Sequence, residues 1–455
     1  MRADMRALII NIDHNYRSVY TGSIAACLMK KIPSLKITGF MAAENKLLTT
    51  TGLFEKIHFF DTKDFFKDTR NLTSAEVEAE IIKAVTPLKS VKWDVIINLS
   101  SNLLGSLLTN FLTYKEIKGT FLDNSLKNLK FTDLSSYLLT TVPDDYNNFF
   151  HFTYLYRNML RRFEEVTLTS IWKKGVEQEF LDYFLAIKAS EKKSHIVLID
   201  ANLYKHRSEG ELDFVAGLFR KLHAEKDYLP ILIGHEISKT DPLIKRLTEV
   251  LQGEVYCLSS ENEAQLSIMS IASVLITDDL YLKAIADLSL KPSIFIGKTV
   301  NVSDFSIVPG SFQLIRNDMN QLDDQVVSLV KNILEDQPLK LDQFPATALY
   351  ETFIHENLPL LEPVCNSSEE FSKWWLALKF IASLQDFKTP FLKVNTKHYL
   401  SAITKERSLL QSGGAKGLFS IAQELSKAQI LTGSVLKEAE VLTKVEKFLA
   451  TEERL

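Results

Sequence analysis

The reactive side chains of this sequence fall in few local clusters. Two acidic pairs, Asp144-Asp145 and Asp278-Asp279, could approach a cation, but neither has the intervening residue of a DxD site or a His at ligand spacing. No metal or other cofactor is expected. Ser412-Gly413-Gly414-Ala415-Lys416-Gly417 places glycines and a lysine before a helical pattern. It lacks both the GxxxxGK[ST] spacing and a preceding strand, so it reads as a helix breaker. The three cysteines, Cys27, Cys257 and Cys365, are odd in number and far apart, which speaks against a disulfide framework or a zinc cluster and for a reducing cytoplasm. No Ser/His/Asp or Cys/His set has local support. The chemistry must come from groups that the fold brings together.

The chain that builds that fold has 455 residues, and at about 150 residues per domain this suggests two or three domains. Apolar residues make up 46% and charged residues 24%, the balance of a folded globular protein. Lys+Arg of 53 against Asp+Glu of 57 leaves a net charge of −4, so there is no basic field for nucleic acid and any polyanion site must be local. Glycine, at 16 residues, is about half its usual share of roughly 7%. Little remains for glycine-built phosphate loops. The start, MRADMRALIINID, is too charged and its apolar run too short for a signal peptide. The longest uncharged stretch, Val95 to Tyr114, carries Asn98, Ser100, Ser101, Asn102, Ser106, Thr109, Asn110 and Thr113. These suit a buried strand followed by an amphipathic helix better than a bilayer.

Apolar runs alternate with helical patterns along the chain. RALIINI (Arg6 to Ile12), LKITGFMA, KIHFF (Lys56 to Phe60) and WDVIINLS (Trp93 to Ser100) read as strands, with helices over Ser23 to Lys30 and Ser74 to Val85. After a charged, helical-looking bridge from Trp172 to Lys193, a second series begins with SHIVLIDA (Ser194 to Ala201). It continues through LPILIG, EVYCL, SVLIT, PSIFIG and FQLI. Strands alternating with helices imply right-handed crossovers and doubly wound sheets. Two such lobes would bind a ligand in the cleft beyond the carboxyl ends of their strands. From about Pro338 the strand signals fade, and three amphipathic patterns follow, at Phe371 to Ile381, Leu418 to Leu425 and Val435 to Leu449. The expected division is 1–172, 173–337 and a helical extension over 338–455, packed on the lobes or left for a protein partner.

The order of these segments, over roughly Arg6 to Asp336, resembles glycosyltransferase family 9, the ADP-heptose lipopolysaccharide heptosyltransferases of GT-B fold. ALIINIDHNYRSVYTGSIAACLMKKIPSLKITGF is similar to the family's strand, loop, "PAL" helix, "YP" and strand. TGLFEKIHFFD resembles "NPYVDEVIPFD", WDVIINLSSNLLGSLLTNFLT resembles "YDLVINLQ" with its helix, and NNFFHFTYLYRNML (Asn147 to Leu160) resembles "NxFNLVDIY". In the second lobe ANLYKHRSEGELDFVAGLFRKL is similar to a loop and helix carrying a phosphate-side lysine, here Lys205. ASVLITDDLYLKAIADLSLKPSIFIGKT resembles "ADLVVTNDTGPMHLAAALGKPVIALFGPT".

The resemblance implies metal-independent, inverting transfer of a sugar from a nucleotide-diphosphate sugar to a glycan or lipid-linked acceptor. The protein would be cytoplasmic, with contact at the inner face of the membrane. The chemistry needs a carboxylate base on the first lobe and positive charge or backbone N–H groups on the second. At the "GD" pair preceding the first helix this sequence has Tyr16 and Arg17. Asp13 on the same loop is the candidate base; the other reading of a lone Asp ending a strand is a turn residue or helix cap. Matching "DTGPMHLAAAL" to Asp278 onward places Leu280 at the Gly and Lys283 at the His. The nucleotide-sugar contacts expected are Lys205, Arg207, Asp278, Lys283, Gly297 and Thr299. Lys283 reads equally as a solvated helix lysine, Lys205 and Arg207 as surface charge, and Gly297 as a tight-turn residue. The alternative function is a catalytically degenerate GT-B protein retained as a binding or assembly scaffold.

Overall fold

The computed structural model describes residues 5–131 and 178–367, apart from 14–15, 63, 66–73, 102, 123–128, 205–207, 235–240, 252–254, 260–261, 301–304, 316–321, 345–346 and 356–357. Two compact units divide at Glu165, and the second runs to Ser372.

In the first unit β1 (Arg6–Asn11), β2 (Lys36–Ala42), β3 (Lys56–Phe60), β4 (Lys92–Asn98) and β5 (Thr113–Leu122) pair in parallel, and β6 (Leu129–Phe131) closes the edge antiparallel to β5. The order is β3-β2-β1-β4-β5-β6. The crossovers hold α1 (Thr21–Lys31), α2 (Ser74–Lys89) and α3 (Leu103–Leu108). Ala7, Leu8, Ile9 and Ile10 of β1 are all fully buried, as a central strand covered on both faces requires. Helix α2 runs a turn beyond the expected Val85, through Pro87. Leu88 is buried there, and its carbonyl accepts Trp93 Nε1 at 3.3 Å. The uncharged stretch from Val95 resolves into the end of β4, α3, a 3-10 turn and the start of β5. No helix among the described residues is long and apolar enough to cross a membrane.

In the second unit α4 (Gln178–Ser190) leads into β7 (His195–Asp200). There follow α5 (Glu209–Ala224), β8 (Tyr228–Gly234), α6 (Pro242–Leu251), β9 (Cys257–Ser259), α7 (Asn262–Ile271), β10 (Val274–Thr277), α8 (Leu280–Leu288), β11 (Ser293–Gly297), β12 (Phe312–Ile315) and α9 (Leu322–Glu335). Strands β7 to β12 are parallel, in the order β12-β11-β10-β7-β8-β9. Counted from β7 as the first strand, this is the 3-2-1-4-5-6 order of the dinucleotide-binding folds. Its core is one apolar cluster, with Val197, Ile199, Phe214, Leu218, Leu232 and Ile276 at the centre.

The expected helical extension from 338 needs correction. Two further strands, β13 (Ala348–His355) and β14 (Leu358–Cys365), add antiparallel to β12 and to each other. The second lobe therefore continues well past 337, and Phe344 and Leu349 lie in its core. The edge strand β14 contains Pro359 and Pro363, which cannot donate to a ladder and are tolerated at a sheet edge. The three amphipathic patterns after Ser367, the Asn147 to Leu160 stretch, Asp144-Asp145 and the glycines at 413–417 lie outside the described residues.

Gly119 in β5 has φ +96°, and a Cβ there would stand 2.0 Å from the Asn98 carbonyl oxygen of β4. Gly119→Ala is expected to lower stability by about 2 kcal/mol or more, read as a reduced urea midpoint.

Candidate functional site

Each sheet reverses its winding between two central strands, β1 and β4 in the first lobe and β7 and β10 in the second. Their carboxyl ends are where an open α/β sheet receives ligands. In the first lobe these ends are tied by a buried polar network. Ile12 N donates to Ser100 Oγ at 3.2 Å, Ser101 N to Asp13 Oδ2 at 2.8 Å, and Ser100 N to Asn98 Oδ1 at 3.1 Å. Asn98 Nδ2 donates to the Thr120 carbonyl at 2.6 Å, and Asn11 Nδ2 to Thr21 Oγ1 at 2.9 Å. Asp13 is only 6% exposed. The structure thus places Asp13 at the switch point with one oxygen bound to the loop after β4. Arg17, in the 3-10 turn Tyr16–Tyr20, is itself buried.

In the second lobe β7 ends on Asp200, the place that Asn11 holds in β1, and the sequence did not single it out. It is fully buried. Its Oδ1 accepts Asn202 N at 2.8 Å, and its Oδ2 accepts Thr277 Oγ1 at 2.6 Å. Thr277 Oγ1 in turn accepts Asp279 N at 2.8 Å. Burial drives the Asp200 carboxyl up to about 7, with the charges of Asp279 and Asp278 adding to the rise and the two hydrogen bonds opposing it. An Asp ending an apolar strand, paired with a Thr-Asp-Asp ending its neighbour, was the signal available.

Helix α8 begins beside this cluster. Asp279 is its N-cap, and Asp279 Oδ1 accepts Tyr281 N at 2.6 Å and Leu282 N at 3.0 Å. The capping carboxylate is therefore Asp279, one residue after the Asp278 chosen from sequence; Asp278 is half-buried. A second expectation needs correction. Lys283 is neither a solvated lysine nor a group presented to a ligand, since it is fully buried. Its Nζ donates to the Phe305 carbonyl at 3.0 Å and pairs with Asp287 Oδ2 at 3.4 Å. Asp287 Oδ1 also accepts Ser306 Oγ and Ile307 N.

Gly297 ends β11, the strand next to β10, and a Cβ there would meet the Thr299 carbonyl oxygen at 3.1 Å. Thr299 and Lys298 are exposed at this edge. Lys298 is a cation that the sequence reading missed. Lys205 and Arg207 lie outside the described residues, in the segment that follows the 3-10 turn Ala201–Tyr204. No group of three or more His, Cys, Asp or Glu among the described residues could hold a metal ion.

No protein-family model matches the chain, and no curated protein matches its sequence. Among solved structures it is similar to the E. coli heptosyltransferase WaaC with ADP-2-deoxy-2-fluoro heptose, at 15% identity and a TM-score of 0.50, over 72% of this chain and 99% of that one. It is also similar to E. coli ADP-heptose lps heptosyltransferase II, at 12% identity and a TM-score of 0.45, over 73% of this chain and 99% of that one. The likeness to WaaC establishes a heptosyltransferase-like GT-B fold.

Two outcomes follow from the buried charges. Folding raises the Asp200 carboxyl, so between about pH 4 and pH 7 the folded lobe holds a proton that the unfolded chain has released. Its contribution is present in full below pH 4 and is lost as pH rises to 7. Asp200→Asn is expected to flatten that part of the stability profile in melts taken at successive pH values. Lys283→Met strands the Asp287 carboxylate and is expected to cost about 3 kcal/mol, part of which Lys283→Met with Asp287→Leu restores in urea titrations.

Proposed function

We propose that this chain is a heptosyltransferase-related glycosyltransferase that moves a sugar from a nucleotide-diphosphate sugar to a glycan or lipopolysaccharide-type acceptor, with inversion. One observation carries the reading. The segment after β7 and the turn between β10 and α8 each resemble a donor-side segment, and the hydrogen bond that Thr277 Oγ1 donates to Asp200 joins them at the second lobe's switch point. On this reading Lys205, Arg207 and the exposed Lys298 face the departing diphosphate. Gly297 and Thr299 shape the turn beside it, and Asp278 takes sugar or ribose hydroxyls. Asp13 is the base: Ser101 N–H positions its carboxylate, which takes the acceptor's proton as the acceptor oxygen attacks the anomeric carbon and the nucleoside diphosphate leaves. An acceptor of this class places the protein at the inner face of the membrane.

A second reading, a degenerate GT-B protein kept as a binding or assembly scaffold, is favoured by a specific feature. The first N–H groups of α8 are already taken by Asp279, and Lys283 is turned into the core. A diphosphate would have to displace the first, and the second cannot move toward it without breaking the Asp287 pair. In this reading the chain after Ser367 is the part left for a protein partner.

Titration calorimetry with ADP-, GDP- and UDP-sugars separates the two. Binding of one sugar nucleotide, weakened about tenfold or more by Lys205→Ala through loss of a charge-assisted contact, supports the transferase. Absence of heat across the panel supports the scaffold. Given a binding donor, Asp13→Asn is expected to leave its affinity unchanged while sugar transfer to a lipopolysaccharide-core acceptor, followed by mass spectrometry, is lost. Transfer at the wild-type rate would remove Asp13 from the base role.

A further inference from the structure

We propose that Asp200 is a positioning residue: one buried carboxylate clamps the turn after β7 to the turn before α8, so that both donor-side segments are held as a unit. The clamp is a continuous set of hydrogen bonds. Asn202 N, in the 3-10 turn that leads to Lys205, donates to one oxygen. Thr277 Oγ1, at the end of β10, contacts the other, and the same hydroxyl accepts Asp279 N. Asp279 then fixes Tyr281 N and Leu282 N of α8. One side chain at the end of β7 is thus linked to the turn after its own strand and, through the Thr277 hydroxyl, to the residue that caps α8.

Among the described residues the groups acting on Asp200 are the Asn202 N–H, the Thr277 hydroxyl and the acidic Asp278 and Asp279. The short contact to Thr277 is made in either protonation state. An ionised Asp200 is the donor's acceptor there, and a protonated one gives its hydrogen to the same hydroxyl. What changes is charge. Ionised, Asp200 adds to the negative potential of Asp278 and Asp279, which opposes an arriving diphosphate; protonated, it holds the turns without that opposition. The consequence for a ligand rests on the proposed function, whereas the clamp does not.

The first test therefore uses the full chain without ligand. In hydrogen exchange, Thr277→Val and Asp200→Ala are each expected to speed exchange at Asn202 and Asp279 by about tenfold, with the amides of α9 unchanged. Unchanged exchange at both turns overturns the clamp, as does equal acceleration throughout the lobe, which would signal general loss of packing. Thr277→Val alone decides the matter if Asp200→Ala does not fold. In the second test, on whichever nucleotide sugar binds, wild-type affinity is expected to fall about tenfold between pH 6 and pH 8, and that of Asp200→Asn to stay level. A wild-type affinity indifferent to pH overturns the charge coupling. A wild type that binds no nucleotide sugar defeats the proposed function instead, and the exchange measurements still decide the clamp.

Discussion

A strand covered on both faces by helices has nowhere to show a polar group except at its ends, and this constraint organises both lobes. In β1 the residues from Ala7 to Ile10 are wholly buried, and the first polar side chains are Asn11 and Asp13. In β7 the run from Ile196 to Ile199 is wholly buried and ends on Asp200. Because each sheet winds outward from these strands, each polar end meets the end of the neighbour on the other side: Asn98 and Ser100 in one lobe, Thr277 to Asp279 in the other. The polar groups converge because the apolar ones must not be interrupted.

Convergence under burial then decides what each group can do. Asp13 lies two residues beyond the end of β1 and Asp200 is the last residue of β7, and their neighbours differ. Asp13 receives a backbone N–H from the loop after β4, whereas Asp200 lies among further carboxylates. On α8, Asp279, Lys283 and Asp287 recur at intervals of four and so form one stripe along the helix. The first caps the helix, and the other two neutralise each other beneath the loop that carries Phe305 and Ser306. The stripe anchors α8 at both ends, and a phosphate at its N-terminus would compete with the cap that helps define it.

The parallel strands were legible in the sequence because burial on both faces leaves uninterrupted apolar runs, and no other element writes so plain a signal. Strands β13 and β14 were not, since Glu351, Glu362 and two prolines break the run in an edge hairpin that needs no such continuity. The site was legible in outline only. The sequence drew attention to Asp278 in the turn before α8, whereas the helix is capped by its neighbour Asp279, a role fixed by backbone angles. Lys283 was misread because helical spacing locates a residue on a face without saying what covers that face. Asp200 was missed because its side-chain partner Thr277 lies 77 residues further along the chain.

The hairpin that completes the second sheet also governs what that sheet can join. An open row of N–H groups invites a strand from another molecule, and that is how many β-sheet proteins begin to aggregate. In β14 the donors at Pro359 and Pro363 do not exist, two residues to either side of Leu361. A foreign strand laid along this border would find gaps in the ladder at a fixed interval, too few bonds to hold register. Among the described residues the second lobe therefore ends its sheet on a margin poorly suited to receive another strand.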